Sequence, residues 1–378
     1  MQTTKREHIV WVDLLRVIAC FLVILSHSCD PFVGQFENNH AEFLTGAFIG
    51  SFVRSCVPLF VMMSGVLLLP VHMDMPTFYS KRAKRLLLPF VFWSLALPIL
   101  YYLYVNSGIE IVSPNILMED YTPAKTFQKL YLFLFNFNYD TTPLWYLYML
   151  IGLYLFMPII SAWLNQAGKK DIQYFLGIWI ISMCLPYVQM FAPLLGYTGN
   201  YGNMGILGIC DWNAYGLFYY FSGFLGYIVL AYYLVKYPFQ WSWKRTLAVA
   251  IPLFLVGYVI TAGGFILTQQ YHPGSYANLE IIWYFSGINV FLMTFSVFIL
   301  IQKIKIKPSP LLTKTASLTF GIYLCHFILV QFAYDLIYPH MQVPAFVKIL
   351  LIACLSFVLS LLVTWIMSLH KITKKVVI

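Results

Sequence analysis

Three ionisable residues, Asp13, Arg16 and His27, fall at or within a run over residues 9–29 that is otherwise apolar enough to cross a bilayer. A charge placed among lipid tails costs several kcal/mol, so such side chains normally face a cavity or a partner. At about 100° per residue, the steps from Arg16 to His27 return to within about 20° of one direction, and Asp13 lies about 60° to the other side. All three share one helix face. The rise of about 1.5 Å per residue holds Arg16 and His27 roughly 16 Å apart, so they form two stations of a polar track rather than a touching pair. An imidazole with an unperturbed pKa near 6.5 suits a general base that takes the proton of a hydroxyl. Asp13 admits two readings, a member of the track or an i,i+3 partner of Arg16.

Two further ionisable residues lie mid-span. Arg54 precedes Val57, Pro58, Leu59 and Phe60, and His326 follows Tyr323 by three residues, which puts both on one side of a helix. The simplest arrangement gathers Arg54, Tyr323 and His326 around the cavity of His27. Arg82 and Arg85, flanked by Lys81 and Lys84, open a later run. Two guanidinium forks one helical turn apart suit phosphates, and ordinary membrane anchoring accounts for the same cluster.

The elements that carry these residues are spans of about 20 mainly apolar residues. Runs occur near 9–29, 43–70, 86–105, 142–164, 172–193, 212–235, 246–268, 279–302, 315–338 and 345–369, which predicts an all-α polytopic membrane protein of about ten helices. Alternate connecting segments hold 18 of the 23 basic residues. The opposite segments hold most of the acid, with Lys125 and Lys129 and, at their edge, Lys348. That bias places both termini in the cytoplasm by the positive-inside rule. The long segment 106–141 and a Gly- and Tyr-rich segment, Leu194 to Asp211, then lie outside, where their aromatics anchor at the interface or stack on sugar rings. The first run lacks a small-residue cleavage site and reads as a helix, not a signal peptide.

Composition narrows the function. The chain is 61% hydrophobic and only 10% charged, against about 25% charged in a soluble domain. Its net charge of +9 is spent in clusters beside spans, which argues against nucleic acid. Seven cysteines without a CxxC pair give neither a disulfide framework nor a metal site, although Cys29 and Cys210 fall near one membrane face.

Together these segments resemble acyltransferase family 3, the membrane acyltransferases that include O-antigen and enterobacterial common antigen O-acetyltransferases. The resemblance rests on Asp13, Leu14, Leu15 and Arg16 followed by Leu25, Ser26 and His27; on Val57 to Phe60 leading to Ser64 and Gly65; on Arg82 to Pro89; on Leu144, Trp145 and Tyr146; and on Tyr323 to His326. It covers nearly the whole chain, in order. The resemblance implies one transmembrane domain of the bacterial cytoplasmic membrane, 1–378, without an appended soluble domain. It also implies transfer of an acyl group, acetyl by default, from cytoplasmic acyl-CoA to a hydroxyl of an extracytoplasmic glycan or lipid-linked sugar. His27 and Arg16 then serve catalysis, Arg82, Arg85 and Arg16 the acyl-CoA, and Asp13, Arg54, Trp145, Tyr323 and His326 line the site, with no resident cofactor or metal. One departure stands out: relatives often carry a histidine just before the Leu-Trp pair, and this chain carries Pro143. A rival class is a transporter, flippase or structural subunit for lipid-linked polysaccharide. Inverted repeats and paired broken helices, the marks of many transporters, are not evident.

Overall fold

The computed structural model describes residues 8–135, 138–197, 208, 209, 213 and 215–378, with the backbone alone at 276–278. It is all-helical among those residues. In chain order the helices are α1 (Val10–Val33), α2 (His40–Phe52), α3 (Cys56–Leu68), α4 (Met75–Val105), α5 (Pro123–Tyr131), α6 (Trp145–Gln166), α7 (Lys169–Ser182), α8 (Leu185–Phe191), α9 (Leu225–Lys236), α10 (Trp243–Tyr271), α11 (Tyr276–Trp283), α12 (Ile288–Lys303), α13 (Pro310–Ile337) and α14 (Ala345–Leu369). Nine helical segments among the described residues are long and apolar enough to span a membrane. The chain is a multi-pass membrane protein.

Three elements differ from the pattern of apolar runs. Among the described residues of the sixth run, expected over 212–235, a short 3-10 helix over Gly216–Phe221 precedes an α-helix that spans only Leu225–Lys236. Gly216 and Gly223 before it adopt φ of 47° and 76°, a conformation that ends a helix rather than extending it. At about 1.5 Å per residue, α9 is too short for a hydrocarbon core of about 30 Å, and it is buried in protein along its length instead. The second span is broken at Val53 to Ser55, which separates α2 from α3 and sets Arg54 in the break. Finally, α4 begins at Met75, so Arg82 and Arg85 lie about two turns inside it rather than at its opening.

The chain forms two compact units. The first takes residues up to 28, 87–145 and 298–378; the second takes 29–86 and 146–297. In the first unit α13 packs along α14, and Gly321 permits the approach: a Cβ there would stand 2.4 Å from Thr364 Cγ2 and 2.8 Å from Val377 Cβ. Close helix contact through small residues is the usual packing mode in membranes, where no hydrophobic effect separates helix from lipid. In the second unit α3 meets α9 in the same way at Gly65, whose absent Cβ would lie 2.6 Å from the Ile228 carbonyl oxygen.

The segment between α4 and α6 is tied down within the first unit. Asp335 of α13 accepts hydrogen bonds from the backbone N–H groups of Val112 (2.9 Å) and Ser113 (2.7 Å) through one oxygen. Its other oxygen accepts from the Tyr104 hydroxyl at 2.5 Å. Ser113 Oγ donates to Gln331 Oε1, and Gln331 Nε2 donates to the Tyr139 hydroxyl. Below these bonds Tyr101, Val105, Ile116, Tyr121 and Phe327 form one buried apolar cluster.

Candidate active site

Helix α1 runs unbroken through Asp13, Arg16 and His27, so the spacing worked out from the sequence holds: about 16 Å separate Arg16 from His27 along the axis. Asp13 is buried, and its Oδ2 lies 2.7 Å from His8 Nε2. Arg16 and His27 are each partly exposed, and neither is sealed in the core.

His27 and His326 are neighbours. Their ring centroids stand 5.3 Å apart at an interplanar angle of 40°. His326 is wholly buried, and its Nδ1 lies 2.6 Å from the Tyr323 carbonyl oxygen. A carbonyl only accepts, so that nitrogen carries the proton and Nε2 presents its lone pair. Nε2 has no hydrogen-bond partner among the described residues. The edge of Phe327, one residue on, meets the His27 ring at a centroid distance of 5.0 Å. Phe327 in turn packs against Tyr139 at 5.0 Å.

Pro143, at the position where relatives often carry histidine, lies in a short 3-10 turn over Tyr139–Leu144. Its carbonyl oxygen accepts a hydrogen bond from the Tyr323 hydroxyl. The backbone N–H of Trp145, at the start of α6, also turns back to this carbonyl. The structure thus brings His27, Tyr323, His326 and the Pro143–Trp145 turn into one unit. Both serines beside His27 are buried, and Ser28 donates to the Ile24 carbonyl at 2.8 Å.

Arg54 belongs to the second unit. Its guanidinium lies over Trp283 at 4.1 Å and Phe285 at 4.9 Å, a cation held by two ring faces. Arg82 is also in that unit, half-buried over Phe78 (5.4 Å) and Tyr154 (5.9 Å), with Nε lacking a partner among the described residues. Arg85 is exposed. The two forks one turn apart therefore differ: one is fixed on aromatic faces and one stands in the open.

Several contributors left weak traces in the sequence. Phe327 and Asp335 are one apolar residue and one acid within a long run, yet Tyr323, Phe327, Gln331 and Asp335 recur at steps of four, a period that places them on one helix face. Lys129 and Asp140 form an ion pair of 2.8 Å in which Asp140 is fully buried. No pairing rule links residues that far apart in an irregular segment. The glycine- and tyrosine-rich stretch 198–207 and Cys210 lie outside the described residues. Cys20, Cys56, Cys184, Cys325 and Cys354 are free thiols. No cluster of His, Cys, Asp or Glu among the described residues has the makings of a metal site.

No curated protein and no solved structure matches the chain. The family model described as an acyltransferase domain, that of acyltransferase family 3, matches residues 9–369. That match runs from the first turn of α1 to the end of α14 and takes in every residue of the imidazole pair's surroundings, so the chain belongs to acyltransferase family 3.

Proposed function

We propose that the protein is an O-acyltransferase that moves an acyl group from cytoplasmic acyl-CoA to a hydroxyl of a surface glycan or lipid-linked sugar. The observation that carries this reading is the pair of imidazoles, His27 partly exposed and His326 buried with an unpartnered Nε2, inside a membrane acyltransferase. In this reading His27 removes the proton from the acceptor hydroxyl as the oxygen attacks the thioester carbon. The carbon–sulfur bond breaks, and the proton passes from His27 to the departing thiolate, giving the ester and free CoA. His326, with its lone pair turned out by the bond to Tyr323, steadies the His27 imidazolium while it holds that proton.

The charged donor requires cations. Arg82 and Arg85 suit the phosphates of CoA, one as a preorganised fork and one as an open charge. Arg16 supplies a positive group on the helix that carries His27, for the polar part of the donor nearest the reaction. The bias of basic residues supports cytoplasmic termini, with α1 running outward and His27 toward the acceptor side. The bacterial cytoplasmic membrane is the compartment that fits this arrangement, with acetyl as the simplest acyl group and with no resident cofactor.

The test is release of free CoA from acetyl-CoA by purified protein in detergent or nanodiscs. The reading expects release that depends on a glycan acceptor and is lost in His27→Ala. Release that ignores the acceptor, or survives His27→Ala at the wild-type rate, overturns it.

A further inference from the structure

A polar cavity of about 440 Å³ lies in the segment between α4 and α6, away from the imidazoles and outside the mechanism above. Its size falls in the range of small-molecule sites, about 300–1,000 Å³. Three side-chain amides line it, those of Asn115, Gln128 and Asn138, together with the rings of Tyr121 and Tyr139. Amides donate and accept at once, as vicinal hydroxyls do, and aromatic faces suit the C–H faces of a pyranose.

Charge decides what kind of sugar. Two lysines reach the cavity, and each is already matched: Lys125 Nζ lies 2.7 Å from Asp120 and Lys129 Nζ 2.8 Å from Asp140. The buried Asp140 also accepts from the Tyr121 hydroxyl at 2.8 Å. The Asp140 carboxylate and burial hold the Tyr121 phenol well above its usual range, burial being the larger cause, so it remains a donor. With both cations paired, nothing in the lining calls for an anionic ligand.

Position decides its role. Tyr139 lines the cavity, packs on Phe327 at 5.0 Å, and Phe327 packs on His27 at 5.0 Å. The cavity is thus two ring contacts from the proposed base, too far for the reacting hydroxyl and near enough for its neighbour in a chain. We propose that this cavity is a binding subsite for an uncharged sugar residue of the acceptor glycan, flanking the residue that is acylated. The flanking role in an acceptor rests on the acyl-transfer reading; capture of the sugar does not require the donor.

The test is binding of purified protein, without acyl-CoA, to an array of neutral tetrasaccharides and uronic-acid tetrasaccharides. The expected result is retention of neutral chains, with affinity lowered about tenfold in Asn115→Leu/Gln128→Leu, whose lost hydrogen bonds set that scale. Asp120→Asn, which frees the Lys125 charge, should move the preference toward uronic acids. A monodisperse size-exclusion profile checks that each variant is folded. Wild-type protein that retains no neutral chain, that prefers acidic chains, or that binds equally well after the double substitution overturns the proposal. A protein that holds the sugar in this cavity yet releases no CoA removes the acyl-transfer reading and leaves the subsite standing.

Discussion

The imidazole rings of His27, on α1, and His326, on α13, stand 5.3 Å apart, and the Tyr323 carbonyl fixes the tautomer of His326. Residues 299 positions apart are thereby brought side by side, because α1 as far as Ser28 and the whole of α13 belong to the first compact unit.

A pair that works as one should lose its function once. His27→Ala is expected to lower kcat by about 10²–10⁴-fold, the usual worth of a general base. His326→Ala should also lower kcat and leave the KM for acyl-CoA unaltered. The double variant should be no slower than His27→Ala alone, since groups acting as a unit are non-additive. Multiplicative losses in steady-state kinetics would separate the two roles.

The two arginines of α4 should differ in their tolerance of lysine. Arg82→Ala and Arg85→Ala are each expected to raise the KM for acyl-CoA by about tenfold or more, as loss of a charged hydrogen bond does. Lysine should fail to replace Arg82, which needs a planar cation over Phe78 and Tyr154, and should largely replace the exposed Arg85. Equal behaviour of the two lysine variants in a donor titration would contradict this.

Asp335 holds the segment after α4 through two backbone N–H groups and one phenol. Asp335→Ala leaves these donors without their acceptor, at a cost of about 1–3 kcal/mol for each that stays buried. The expected readout is faster proteolysis between residues 106 and 122, compared with wild type under the same detergent. Unaltered cleavage would show that the segment is held by its apolar cluster alone.

Packing of α13 on α14 should be sensitive at one position. Gly321→Val forces a branched side chain against Thr364 and Val377, and overpacking of this kind costs about 1–3 kcal/mol. Gly152→Ala meets no atom within 4 Å and should be neutral or slightly stabilising. Thermal unfolding of the two variants side by side measures the contrast.

Much of this architecture was legible in the amino-acid order. The spans announce themselves because lipid demands long apolar runs, and a charge inside one, such as Arg16, is too costly to be incidental. The shared face of Arg16 and His27 follows from helical geometry alone. Other features required three dimensions. The short α9 reads as a full span because its apolar run is long enough; only the left-handed glycines at Gly216 and Gly223 end the helix, and φ is invisible in a list of residues. The break at Arg54 lacks a glycine and comes just before Pro58, which the helix of α3 tolerates in its first turn. Tyr139, Phe327 and His27 come from three distant segments, so their stacking had no local signal. The clamp at Asp335 was half visible, as one acid in an apolar run, but its partners at Tyr104, Val112 and Ser113 were not.

Helix α13 carries His326, Phe327, Gln331 and Asp335 on a single rigid rod, with His326 and Asp335 about 14 Å apart at 1.5 Å per residue. The imidazole pair sits against one part of that rod, while Tyr139 and the loop that frames the 440 Å³ cavity are fastened to it further along. Any tilt of α13 in response to a thicker or thinner bilayer therefore carries both together. The spacing between the anchors of that cavity and His326 is set by the rise of one hydrogen-bonded helix, and bilayer thickness should leave it unchanged.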